Sequence, residues 1–289
     1  MLYIIGLIAV GVMLLLQYLT KNRTSSFVTR LISGVILVLA ALLTVCSGGW
    51  ILYTTTLVLS LIGMAELFRA TGLRTEMRPG KPEWFGYLGC IIYYVFIGFL
   101  PGKAGWLGIP AALIVILGIY VFSFPEYHID DIMKLIFAML YVGVLLSCVF
   151  LIRELSSGRF VVWLVFLSAW GSDTCAYCAG MLWGKHKMTP VLSPKKTIEG
   201  AGGGVVGAVI LGMLYGIFTT RQTGAYMLIC LGGAVVSMIG DLAASAIKRQ
   251  KGIKDFGNLI PGHGGILDRF DSVIFTAPAV YLLAVLLVN

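Results

Sequence analysis

The chain has 289 residues, 59% of them hydrophobic and only 12% charged, with a net charge of +8 and a mean hydropathy of +0.96. Such a composition excludes an ordinary soluble globule and identifies an integral membrane protein. The positive charge needs no nucleic-acid partner, because membrane topology and anionic lipid headgroups account for it.

In chain order, about ten apolar stretches are long enough, or nearly so, to cross a bilayer as helices: roughly 1–20, 27–47, 50–68, 84–100, 105–124, 132–152, 160–180, 201–220, 224–245 and 272–288. The expected fold is therefore all-α and polytopic, with nine spans as the smaller count. The first stretch has no basic leader and no small-residue cleavage site, so it is expected to be a retained helix. Of the 21 Lys and Arg, all but Lys103, Arg153, Arg159 and Arg221 fall in odd-numbered loops. The excess of positive charge marks those loops as cytoplasmic, which places both termini on the other side and the loops at 181–200 and 246–271 inside.

The first half, 1–155, reads as scaffold and possible dimer-forming surface. The small acidic group Glu126, Asp130 and Asp131 suits a solvated loop. The second half, 156–289, reads as catalytic. Asp173 and Asp241 lie within apolar spans near their expected cytoplasmic ends, where an uncompensated charge is costly. Lys195 and Lys196 follow in one cytoplasmic loop, and the segment Ser245 to Asp271 concentrates Lys248, Arg249, Lys254, Asp255, His263, Asp268, Arg269 and Asp271 between two apolar stretches. Convergence of these groups on one membrane face is what a single active site requires.

Their chemistry points to phosphate and a hard cation. Asp268 and Asp271 are three apart and share one side of a helix beginning near Leu267. Carboxylate-only ligands suit Mg²⁺, which keeps waters and takes one or two carboxylates plus substrate phosphates. Asp173, Asp241, Asp268 and Asp271 are the carboxylates of this kind in the second half. Gly262, Gly264 and Gly265 flank His263 and lead into a helix start, an arrangement that can receive an anion. Ion pairing of these Asp residues with Lys248, Arg249, Lys254 or Arg269 is the competing structural explanation.

Two other patterns carry less. Gly202 to Gly207 has the spacing of a dinucleotide-binding loop, yet it opens an apolar span without a preceding strand, so helix packing through small residues is expected. Cys175 and Cys178 form one C-x-x-C without a second pair or a nearby His.

The run Ser245-x-Ile247-Lys248-Arg249, then Lys254-Asp255-x-Gly257, then Ile260-Pro261-x-His263-Gly264-Gly265-Ile266-x-Asp268-Arg269-Phe270-Asp271 resembles the signature of the phosphatidate cytidylyltransferases, or CDP-diacylglycerol synthases. Ser193-Pro194-Lys195-Lys196-Thr197-x-Glu199-Gly200 is similar to a looser segment of the same family. The resemblance implies transfer of a cytidylyl group from CTP to phosphatidate, giving CDP-diacylglycerol and pyrophosphate, with Mg²⁺ required. It leaves open a second, monovalent cation and a homodimer. On this reading Asp241 and Asp268 hold the metal, with Asp271 as a third or outer carboxylate, and Lys248, Arg249 and His263 serve catalysis with them. Lys195, Lys196, Thr197, Lys254, Asp255, Gly264, Gly265, Arg269 and Asp173 serve substrate binding, with 195–197 on a mobile loop. A bacterial plasma membrane is the expected location. The rival readings are a CTP-using polyprenol-type kinase, a cytidylyltransferase for another lipid phosphate, and a cation-coupled transporter built on Asp173 and Asp241.

Overall fold

The structure is a computed structural model, and it describes residues 26–73, 81–100, 102–260, 262 and 264–288. The apolar stretch 1–20 and His263 lie outside the described residues. Each of the other nine stretches is a helix: α1 Ser26–Ser47, α2 Gly49–Ala70, α3 Lys81–Phe99, α4 Gly108–Phe122, α5 Ile129–Ala138 continuing into α6 Leu145–Arg153, α7 Gly158–Phe166 continuing into α8 Ser172–Trp183, α9 Ile198–Phe218, α10 Thr223–Gln250 and α11 Leu267–Leu287. Among the described residues, seven helices are long and apolar enough to cross a membrane. The physical reason is general: without water, backbone N–H and C=O groups must be satisfied within the segment, and a helix does this. Outward side chains such as Ile114, Val121 and Phe122 are large, apolar and exposed, as a lipid-facing surface requires.

Two of these helices are interrupted by wider π-helical turns, Met139–Val144 between α5 and α6, and Leu167–Gly171 between α7 and α8. Such turns often accompany functional positions. The second leads directly into Ser172 and Asp173. The acidic residues Asp130 and Asp131 sit in the first turn of α5, where they complement the helix dipole. Asp131 also pairs with Lys134 at 2.9 Å.

The described chain forms two compact units. One comprises described residues up to Ser147 together with Ile253–Arg269; the other comprises Cys148–Gly252 and Phe270 onward. The motif-bearing segment after α10 therefore packs with the N-terminal helices, whereas the sequence placed it in a continuous C-terminal region. Inside the first unit, buried hydroxyls are hydrogen-bonded: Tyr53 to the Tyr94 carbonyl at 2.9 Å, Tyr94 with Ser60 at 2.9 Å, and Tyr93 with Ser147 at 2.8 Å. Gly63 of α2 lets this helix approach closely, since a Cβ there would lie 2.8 Å from Val142 and 3.2 Å from Leu267.

The second unit is built on close helix contacts. A Cβ on Gly203 or Gly207 of α9 would collide with Ala179 and Cys175 of α8, and one on Gly204 would lie 2.9 Å from the Ala176 Cβ. The glycine run is thus a helix-packing face, as its apolar context implied.

The segment 181–200 carries an element the sequence did not suggest. Lys187–Thr189 (β1) and Ser193–Thr197 (β2) pair as an antiparallel ribbon with Lys187 opposite Thr197 and Thr189 opposite Ser193. The expected mobile loop is replaced by a two-stranded hairpin whose base is pinned. Thr197 caps α9 by accepting from the Gly200 N–H at 3.1 Å, and a Cβ on Gly180 or Gly184 would lie 3.0 Å or 2.8 Å from its Oγ1.

Candidate active site

Three carboxylates of the second unit belong to one electrostatic cluster. Asp241 acts on both Asp173 and Asp271, and Asp271 also feels Asp173. They come from α8, α10 and α11. Gly240 allows this approach, because a Cβ there would lie 2.9 Å from the Asp271 carbonyl oxygen and 2.8 Å from Phe275 Cβ. Close packing of α10 against α11 at that point sets Asp241 beside the first turns of α11.

Two lysines balance these charges. Lys196 of β2 pairs directly with Asp241, with both side chains about one quarter exposed, and it also acts on Asp173. Lys248, on the last turns of α10, acts on Asp271. Ser245 Oγ donates to Asp241 Oδ1 at 3.4 Å, and the Ser272 N–H donates to Asp271 Oδ1 at 2.8 Å. Mutually repelling carboxylates in an apolar setting need positive charge nearby. Here a tethered lysine supplies part of it.

The donor set fits Mg²⁺ in kind, being oxygen only. Among the described residues no three His, Cys, Asp or Glu side chains form a metal-holding group by themselves.

The hairpin is anchored beside this cluster by Glu199. Its carboxylate accepts from the Lys185 N–H at 3.1 Å, from the His186 N–H at 3.2 Å, and meets His186 Nδ1 at 2.6 Å. Lys195 is exposed on the same strand as Lys196, while Thr197 is buried and engaged as the α9 cap. Thr197 therefore positions the lysines, and its hydroxyl is occupied by the helix.

The first unit holds the rest of the motif. Lys254, Asp255 and Arg269 are exposed; Asp268 is buried, at 7% exposure. Asp268 Oδ2 accepts from the Phe256 N–H at 2.8 Å and from the Gly265 N–H at 2.9 Å. Ile260 and Gly264 close the turn between them, with the Ile260 N–H donating to the Gly264 carbonyl at 2.8 Å. Gly264 has φ +86, and a Cβ there would lie 2.9 Å from Asp268 Oδ2. The glycines are needed because a protein carboxylate is packed against them.

This changes the anion-site expectation. The N–H groups of Gly265, Ile266 and Leu267 at the start of α11 are taken by Asp268 and by Glu66, whose Oε1 and Oε2 accept from Ile266 at 3.0 Å and Leu267 at 2.9 Å. A substrate phosphate does not have them. Glu66 was missed from sequence. The signal that could have found it is the one used for Asp173 and Asp241, a lone carboxylate inside an apolar span.

Arg249 is exposed near the end of α10. The Cys175 and Cys178 thiols are free, and Cys175 packs against Gly207.

Residues 28–287 match the sequence profile described as the cytidylyltransferase family. The chain belongs to the cytidylyltransferase family. Curated relatives cover it almost end to end. A phosphatidate cytidylyltransferase of Staphylococcus saprophyticus is 33% identical over 266 residues, and one of Staphylococcus epidermidis is 34% identical over the same length; each alignment covers 89% of this chain and 98% of the relative. A phosphatidate cytidylyltransferase of Staphylococcus aureus is 33% identical over 265 residues, with the same coverage. As a cytidylyltransferase, the chain carries the Asp173, Asp241 and Asp271 cluster in one unit and the turn held by Asp268 and Glu66 in the other.

Proposed function

We propose that this protein transfers the cytidylyl group of CTP to phosphatidate, releasing pyrophosphate and forming CDP-diacylglycerol for phospholipid synthesis. The observation that carries the reading is the Asp173, Asp241 and Asp271 cluster with Lys196 and Lys248 against it, in a chain of this family.

In the reaction, a phosphate oxygen of phosphatidate attacks the α-phosphorus of CTP in line. The new bond joins that oxygen to the α-phosphorus, and the bond from the α-phosphorus to the bridging oxygen of the β-phosphate breaks. The acceptor is already an anion, so no protein nucleophile is required. Catalysis is then positioning and stabilisation of shifting negative charge.

Asp241 and Asp271 would hold Mg²⁺, with Asp173 beside them and Asp268 as the further motif carboxylate. When bound, the cation neutralises phosphate oxygens and the departing pyrophosphate. Lys195, Lys196 and Lys248 bind phosphates, and Arg249, Lys254 and Arg269 serve binding of the nucleotide and the lipid headgroup. Asp255 and His263 are assigned to the nucleotide by the family motif, whereas Gly264 and Gly265 serve the turn that Asp268 and Glu66 hold. The distribution of Lys and Arg supports a cytoplasmic orientation of these groups in a bacterial membrane, where CTP would arrive from water and phosphatidate would stay anchored by its acyl chains.

Product analysis tests this reading. Purified protein given phosphatidate and CTP labelled at either the α- or the γ-phosphate should move only the α-label into lipid. Transfer of the γ-label would make the protein a lipid kinase, and no transfer with either label would remove the enzymatic reading.

A further inference from the structure

We propose that Glu66 is a positioning residue for cytidylyl transfer: from α2 it fixes the backbone at Gly257 and at Gly265 to Leu267, and through it the motif side chains next to these points. The proposal rests on the reading of the protein as a CDP-diacylglycerol-forming enzyme.

The geometry is unusually complete. Glu66 is buried, at 3% exposure, in a helix that is otherwise apolar or weakly polar over Gly49–Phe68. Both of its carboxylate oxygens are used, one for each of two successive N–H groups, Ile266 and Leu267, at 3.0 Å and 2.9 Å. These lie at the N-terminus of α11, where the helix dipole favours negative charge. Glu66 therefore acts as an N-terminal cap donated by a helix 200 residues away in sequence.

Two glycines wrap the same carboxylate. A Cβ added to Gly257 would lie 2.5 Å from Glu66 Oε1, and one added to Gly265 would lie 2.5 Å from both oxygens. Glu66 thus touches the turn at both ends. Asp268 completes the clamp from within by binding the Phe256 and Gly265 N–H groups. Between them the two acids hold the backbone at Phe256 and Gly257 and at Gly265 to Leu267, with Lys254 and Asp255 just before the first point and Asp268 and Arg269 just after the second.

Such an acid is expensive as a mere filler. Burying a carboxylate carries a large desolvation cost, and an apolar side chain of similar volume is often no less stabilising. What the charged form adds is a bidentate, directional hold on two backbone groups. A turn free to shift by an ångström would misplace phosphate-binding side chains, a loss that can reach about 100-fold in rate.

The test compares Glu66→Gln and Gly257→Ala with wild type, using the full chain purified in lipid nanodiscs, with kcat, KM for CTP and thermal melting measured per folded molecule. Gln keeps the shape but offers one acceptor and sets an NH₂ against a backbone N–H. Gly257→Ala leaves Glu66 in place and pushes a methyl onto its carboxylate. Both should stay folded yet lose about 10- to 100-fold in kcat, with a smaller change in KM for CTP. Wild-type kcat per folded molecule in both would overturn the proposal. Activity falling only in step with the folded fraction, or failure of both variants to fold, would also overturn it by making Glu66 a folding residue alone. A wild-type protein that forms no CDP-lipid would instead remove the functional reading beneath it.

Discussion

Lys196, on the second strand of the hairpin, is ion-paired with Asp241, within the last turns of α10. The pair joins a short β ribbon to a carboxylate cluster drawn from three helices. It gives the hairpin a function that an irregular surface loop would not have: it holds a positive charge at a fixed place beside Asp173 and Asp241. A lysine so placed can compensate Asp241 and meet the oxygens of an incoming triphosphate.

Replacing Lys196 by Ala should therefore damage use of CTP more than it damages the fold. A hydrogen bond to a charged group is worth about 1.5–3 kcal/mol, so kcat/KM for CTP should fall roughly 10- to 150-fold. Steady-state kinetics at varied CTP measure this. Lys196→Arg should recover only part of the loss, because the planar guanidinium cannot reproduce a point charge on Asp241.

Asp268 provides a separable prediction, since its Oδ2 satisfies two backbone N–H groups. Asp268→Ala leaves both unpaired in a buried turn, at a cost of about 1–3 kcal/mol for each, and should lower the melting temperature clearly. Asp268→Asn keeps an acceptor oxygen and should melt near wild type. Its cytidylyl-transfer rate should still be reduced, because the proposed role of the motif carboxylate depends on its charge. Melting curves and rates on the same preparations separate the two effects.

Helix contact in the second unit yields a stability prediction. Gly203→Ala would drive a methyl into Ala179, and overpacking of this kind costs about 1–3 kcal/mol. Gly202→Ala meets nothing within 4 Å and is the control. Differential melting of the two variants checks the assignment of this glycine run to packing.

The extent to which sequence predicted these features follows the physics. Hydropathy located every described helix, because in a bilayer the backbone has almost no alternative to helix. The polarity of 245–271 located the motif, and isolated acids in apolar spans located Asp173 and Asp241. Partner choice was less visible. Asp268 and Asp271 are three apart on one helix, yet Asp268 turns to the backbone N–H groups of Phe256 and Gly265 while Asp271 joins Asp241 and Asp173. A helical spacing fixes direction only for residues within the helix, and Asp268 stands at its first turn. Glu66 carries the same local signal, a lone acid in an apolar span, but its partners were hidden by distance along the chain: nothing near it in sequence announces Gly257, Gly265, Ile266 and Leu267 as its neighbours. The hairpin was obscured by its brevity, with strands of three and five residues too short to show an alternating pattern.

The carboxylate cluster is the centre of the account, and one titration tests it most directly. The rate of CDP-lipid formation from CTP and phosphatidate is measured across Mg²⁺ concentrations for wild type, Asp241→Asn and Asp271→Asn, after chelator treatment. The wild type should be inactive without the cation and recover as it is restored. Each variant should lose about 100-fold or more of the rate, the scale of a removed transition-state charge contact, or require far more Mg²⁺. Wild-type rates in both variants at the same Mg²⁺ would contradict the assignment of this cluster as the cation site.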